Sequence, residues 1–102
     1  MRMTSRGVLA GLLIGLLAAP GFAADAGHGA RLADSCTSCH GLEGRSPGAT
    51  PALAGQDEAG LFDKLKAFQQ GTVEATIMNR IARGYTDEEL AALAAYFASV
   101  TP

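Results

Sequence analysis

Apolar residues recur at helical spacing in two stretches of the chain. Leu61, Leu65 and Phe68 fall about one turn apart between Asp57 and Gly71, as on the buried face of a helix. Asp57 can accept from the free N–H groups of a first turn, and Gly71 suits the position just past a helix end. Together they predict a helix over Glu58 to Gln70. Leu90, Leu93, Tyr96 or Phe97, and Val100 repeat the pattern. Thr86 with Glu89 three residues later is a capping box, so this helix runs to about Val100. A third face is made by Leu32, Ala33 and Cys36, predicting a first helix from about Gly29 into the cysteine motif and stopped by Gly41. Met78 to Arg83 reads as one or two further turns ending at Gly84, after a loop over Thr72 to Ile77. Nowhere does the strict alternation of a half-buried strand occur. The fold class is therefore all-α, with three main helices.

One segment resists regular structure. Gly44 to Gly55, G-R-S-P-G-A-T-P-A-L-A-G, is a long loop for a small domain, and such a loop needs a reason. Either it is disordered or it wraps a bound group.

The N-terminus follows a different pattern. Arg2 and Arg6 precede an apolar run from Val8 to Ala19, broken by Pro20-Gly21 and followed by small residues. This is the layout of a secretory signal peptide. Cleavage before Ala24 is one expectation, and cleavage before Gly27 is another. The rival reading, an uncleaved anchor, meets a run that is short for a full span and has no basic stop after it. We take residues 1–23 as a cleaved signal and 24–102 as one exported domain, with no stable membrane insertion once the signal is gone. The expected location is the periplasm. The chain carries 8 basic and 10 acidic residues, and loss of Arg2 and Arg6 leaves the rest more acidic. That balance argues against nucleic acid as a partner and suits a partner with a basic docking face. So short a domain has a marginal core on its own, and something should stiffen it.

The chemistry concentrates in Cys36-Thr37-Ser38-Cys39-His40, which holds both cysteines of the chain and one of its two histidines. A disulfide across two intervening residues would gain little stability. A thioredoxin-type pair normally opens a helix after a strand, and no strand is expected here. Zinc would need a fourth ligand, which only His28 could supply. Covalent haem c uses both thiols and the imidazole of the motif. Positions i and i+3 share a helix face, so both thiols can reach the two vinyl groups and become thioethers. The next residue is rotated about a third of a turn, which brings His40 under the iron as an axial ligand. The porphyrin also supplies the apolar mass that the core lacks.

A second axial position remains. Met78 and His28 are the candidates in the mature chain. Met78 lies far downstream and is free to approach the opposite haem face. His28 lies too near Cys36 to cross easily. Met78 could instead fill the core, as methionine often does, but no other thioether is left after signal removal. His/Met ligation raises the potential and closes the iron to oxygen or peroxide, which suits electron transfer.

The residues resemble class I cytochrome c over the whole mature domain. A-R-L-A-D-S-C-T-S-C-H-G is similar to its first helix and attachment site, and T-P-A-L-A-G-Q to its Pro-x-Leu-x-Gly loop. The stretch from Ala75 to Ala98 resembles the methionine segment followed by the last helix. The resemblance implies a long loop wrapped around one covalent haem c. It implies that the Pro51 carbonyl accepts a hydrogen bond from His40 and that Leu53 lies against the haem. It also implies a crossing of first and last helices, a small residue against an aromatic, Tyr96 or Phe97. The family's glycine falls where this chain has His28, with Gly29 beside it, so the crossing is expected to be shifted or loosened.

Within the class, L-A-G-Q, L-x-x-x-L-K-A-F-x-x-G and A-T-I-M-N-R-I-A-x-G-Y-T-D-E-E-L are similar to the cytochrome subunit of flavocytochrome c sulfide dehydrogenase. This implies a FAD-containing flavoprotein as electron donor, other redox proteins as acceptors and no catalysis by the chain itself. Two other functions compete: a freely diffusing monohaem carrier, and a haem enzyme or gas sensor with an open sixth position.

Overall fold

Asp25 starts the first helix of the computed structural model, which describes residues 25–102. Its carboxylate accepts from the N–H of Gly27 at 2.9 Å, a cap on an otherwise free first turn. Helix α1 spans Ala26–Leu32 and starts about three residues earlier than the sequence pattern suggests. It does not run unbroken into the motif. A 3₁₀ turn, Ala33–Cys36, comes first, and a short helix α2, Thr37–His40, follows. The reason lies in the hydroxyls. Ser35 Oγ donates back to the Leu32 carbonyl at 3.0 Å and Thr37 Oγ1 to that of Asp34 at 2.8 Å. Such back-bonding competes with the helix ladder and favours a tighter turn.

A second 3₁₀ turn, Leu42–Gly44, leads into the long loop. Helix α3 then spans Glu58–Gln70, capped by Asp57 through Gly60 N and ended by Gly71. Helix α4 is a short piece, Met78–Ala82, and α5 spans Asp87–Ser99 behind a complete Thr86–Glu89 capping box. Every regular element among the described residues is helical.

Ala33, Leu61, Leu65, Leu90, Leu93, Ala94 and Phe97 form the core. Leu90 and Ala94 are wholly buried, and Val100 closes the end of α5. Phe68 stays half-exposed at the margin.

Helix α1 crosses α5 closely, and Gly29 makes the approach possible. A methyl group at Gly29 would lie 2.7 Å from the Ala92 carbonyl carbon and 2.9 Å from Tyr96 Cβ. The crossing is thus shifted by one residue from His28 to Gly29, and it is not loosened. Both aromatic residues serve. Tyr96 faces the crossing, Phe97 fills the core, and their rings meet edge to face at 5.0 Å.

The long loop is pinned at its ends. Leu53 N and Ala54 N donate to the Gly44 carbonyl at 2.8 and 3.2 Å, and Gly55 N donates to the Phe97 carbonyl at 2.8 Å. Arg45 Nε reaches the Thr101 carbonyl at 2.8 Å. The expected signal peptide, residues 1–23, lies outside the described residues. Among the described residues no helix is long and apolar enough to cross a membrane.

Candidate haem site

His40 is the last residue of α2, held there because Gly41 leaves the helix at φ 81°. Few side chains adopt that conformation. A Cβ at Gly41 would also lie 2.7 Å from the Arg45 carbonyl oxygen. The imidazole is buried, and its Nδ1 lies 2.6 Å from the Pro51 carbonyl oxygen. A carbonyl can only accept, so Nδ1 carries the proton and donates. In the neutral ring Nε2 then keeps its lone pair, the state a metal-ligating histidine needs. The hydrogen bonds from Leu53 N and Ala54 N to Gly44 hold the loop that presents Pro51.

Cys36 and Cys39 are both free thiols. Cys36 is half-buried and packs against the core, while Cys39 is exposed. Burial pushes the Cys36 thiol up from its ordinary value, and the Ser35 hydroxyl partly opposes this. Leu53 and Met78 are partly buried against the same core, together with Leu32, Phe62, Tyr85 and Tyr96. Met78 opens α4. The structure therefore brings Cys36, Leu53 and Met78 to one core and pairs His40 with Pro51.

His28 does not join them. It sits on α1, where its Nδ1 accepts from the Arg31 guanidinium at 3.5 Å. Among the described residues no three His, Cys, Asp or Glu side chains gather at one point, so a zinc site has no ligand set there.

These residues fit haem c. Two unpaired thiols three apart, one imidazole with a free Nε2 and one thioether are the kinds of donor that haem c takes. Apolar surface is available as well. Ile77 and Ile81 beside Met78 are 55% and 37% exposed, and Leu42 beside the motif is 81% exposed.

A cleft lies on the methionine side. It has a volume of 590 Å³ and is lined by residues 71–76, Asn79 and Arg83, with none of the motif residues. Asn79 Oδ1 is buried there, with no partner among the described residues. No pattern in the sequence singles out Asn79.

Sequence reasoning also missed a contact next to the motif. Tyr85 OH lies 2.5 Å from Ser35 Oγ, and Gln69 Nε2 donates to the Tyr85 carbonyl at 3.0 Å. Lys66 of α3 is tied to two neighbouring side chains. Its Nζ bonds to Asp87 Oδ1 at 2.6 Å and to Gln69 Oε1 at 2.7 Å.

Comparison with known proteins gives a consistent result. Residues 26–101 match the family model described as Cytochrome c. The chain is 36% identical over 67 residues to the cytochrome subunit of sulfide dehydrogenase of Chlorobaculum tepidum, covering 66% of this chain and 61% of that one. It is 41% identical over 87 residues to a thiosulfate dehydrogenase electron acceptor of Stutzerimonas stutzeri, covering 72% and 40%. Among solved structures, an Acidithiobacillus ferrooxidans cytochrome c4 matches with a TM-score of 0.73 at 32% identity, covering 76% of this chain and 50% of that one. The chain thus spans less than two thirds of the length of each of these relatives.

Proposed function

The chain belongs to the cytochrome c family of electron-transfer proteins and carries haem c, and on that premise we propose that it is the haem subunit taking electrons from a sulfide-oxidising flavoprotein in the periplasm. The observation that carries this reading is the 36% identity to the cytochrome subunit of sulfide dehydrogenase. Export follows from residues 1–23 acting as a cleaved signal.

Haem c, when bound, supplies a one-electron iron couple. The residues of this chain do the rest. Cys36 and Cys39 would hold the porphyrin through thioethers. His40 would offer Nε2 to the iron, kept in that tautomer by the Pro51 carbonyl. Met78 would offer its thioether to the same iron. Two neutral donors of these kinds would keep the potential high and would leave oxygen and peroxide no place to bind. Leu53 would add apolar surface to the site.

A second reading, a monohaem carrier that diffuses freely, draws support from the 41% identity to an electron acceptor of thiosulfate dehydrogenase. Gentle size exclusion of the native protein, recording haem and flavin absorbance together, separates the two. Co-elution well above the mass of one small cytochrome, followed by sulfide reduction of the haem, is the expected result. Haem alone at the monomer mass would overturn the subunit reading in favour of the carrier.

A further inference from the structure

Among the described residues, the segment that carries Met78 is tied to the others by polar contacts at its two ends only. At the start, Thr72 N and Oγ1 donate to the Ala67 carbonyl at 3.0 and 3.3 Å. At the end stands Tyr85. Among the described residues no hydrogen bond or ion pair links residues 73–84 to another part of the chain. Helix α4, five residues long and without a side-chain cap at Ile77, is too short to be stable by its own hydrogen bonds.

The tie at Tyr85 is double. Its carbonyl accepts from Gln69 of α3, and its hydroxyl meets Ser35. Ser35 has one hydroxyl proton and gives it to the Leu32 carbonyl at 3.0 Å, so the Tyr85 hydroxyl donates to the Ser35 oxygen. Ser35 immediately precedes Cys36. Tyr85, Cys36 and Met78 all pack on the same core. The bond therefore joins the segment bearing the first thiol to the segment bearing the thioether, across fifty positions of sequence.

We propose that the Tyr85–Ser35 hydrogen bond is a latch that keeps the methionine segment closed, making Tyr85 and Ser35 positioning residues that set how firmly Met78 stays on the iron. The proposal rests on Met78 being the second axial ligand. Losing one such hydrogen bond shifts a local opening equilibrium about two- to tenfold. The segment opens at its Tyr85 end while α1, α3 and α5 stay folded.

The test is a titration of the ferric holoprotein with imidazole, which binds only where the methionine has left. The readout is loss of the methionine–iron charge-transfer band, with far-ultraviolet circular dichroism followed in parallel. Tyr85→Phe keeps the ring and removes the hydroxyl; Ser35→Ala removes the acceptor; Ser35→Thr restores it. Tyr85→Phe and Ser35→Ala should each raise imidazole affinity about two- to tenfold, the double variant no further, and Ser35→Thr should return it towards the original value. The dichroism should not change. A band present in all of them, with affinities unchanged, overturns the latch alone. A native protein without the band, whose imidazole affinity Met78→Ala leaves unaltered, overturns the ligand assignment and the latch with it.

Discussion

Replacing Gly29 with alanine tests the helix crossing most directly. The added methyl would sit 2.7 Å from the Ala92 carbonyl carbon and 2.9 Å from Tyr96 Cβ. The first neighbour is backbone in the middle of α5 and cannot rotate away, so the two helices must part. Overpacking of this kind costs about 1–3 kcal/mol. Alanine is also the better helix former, which returns about 0.5–1 kcal/mol. Gly27→Ala, in the same helix, isolates that term. Its methyl would meet only the Asp25 carboxylate, at 3.2 Å, and that side chain can yield. The gap between the two variants should therefore reflect the crossing, at about 1–3 kcal/mol. For a domain of this size each kcal/mol moves the melting temperature by about 4–8 °C. Thermal unfolding of the ferric holoproteins, followed by circular dichroism, should place Gly29→Ala below Gly27→Ala by at least about 4 °C. A Gly29→Ala protein as stable as Gly27→Ala would refute the claim that the helix backbones are in contact.

Two further outcomes follow from the capping of α5 and its flank. Thr86→Ala removes the side-chain half of the capping box, which accepts from Glu89 N at 3.1 Å, and should cost about 0.5–2 kcal/mol in denaturant unfolding; no loss would mean that the box is idle. Asp87 is held below its usual range chiefly by its hydrogen bond from Lys66. A carboxyl lowered on folding stabilises above its unfolded value and loses that contribution as pH falls through the folded one. The stability gap between the native protein and Asp87→Asn should therefore be full at neutral pH and close on acidification below the ordinary aspartate range, whereas a gap independent of pH would show that the carboxylate charge does not matter.

Much of this architecture was legible because its signals are local. Asp57, Gly71, Thr86 and Glu89 mark helix ends within a few residues, and α3 and α5 lie where these caps put them. The start of α1 was less legible. Gly27 and Gly29 are weak helix formers, and the packing of Gly29 on α5, far along the chain, has no signal in the local pattern. The break before Cys36 depends on two hydroxyls choosing carbonyls three residues back, and composition does not show that choice. In the site, the motif residues and Met78 stand out by spacing and by their scarcity. Pro51 came from resemblance alone, since a carbonyl has no residue-specific signature. Tyr85 and Ser35 are separated by fifty positions, and neither is unusual where it stands. Asn79 left no trace in the pattern at all.

The meeting of α1 and α5 also bears on how the domain assembles. Helical proteins usually fold fast because their contacts are near in sequence. Here Gly29 must find Ala92 and Tyr96, roughly sixty residues away, so closing that long loop costs entropy before the contact gives anything back. The first and last helices accordingly form one cooperative unit. Their amides should exchange with solvent through a shared opening, late and together, while the methionine segment between α3 and α5 exchanges by smaller and earlier fluctuations.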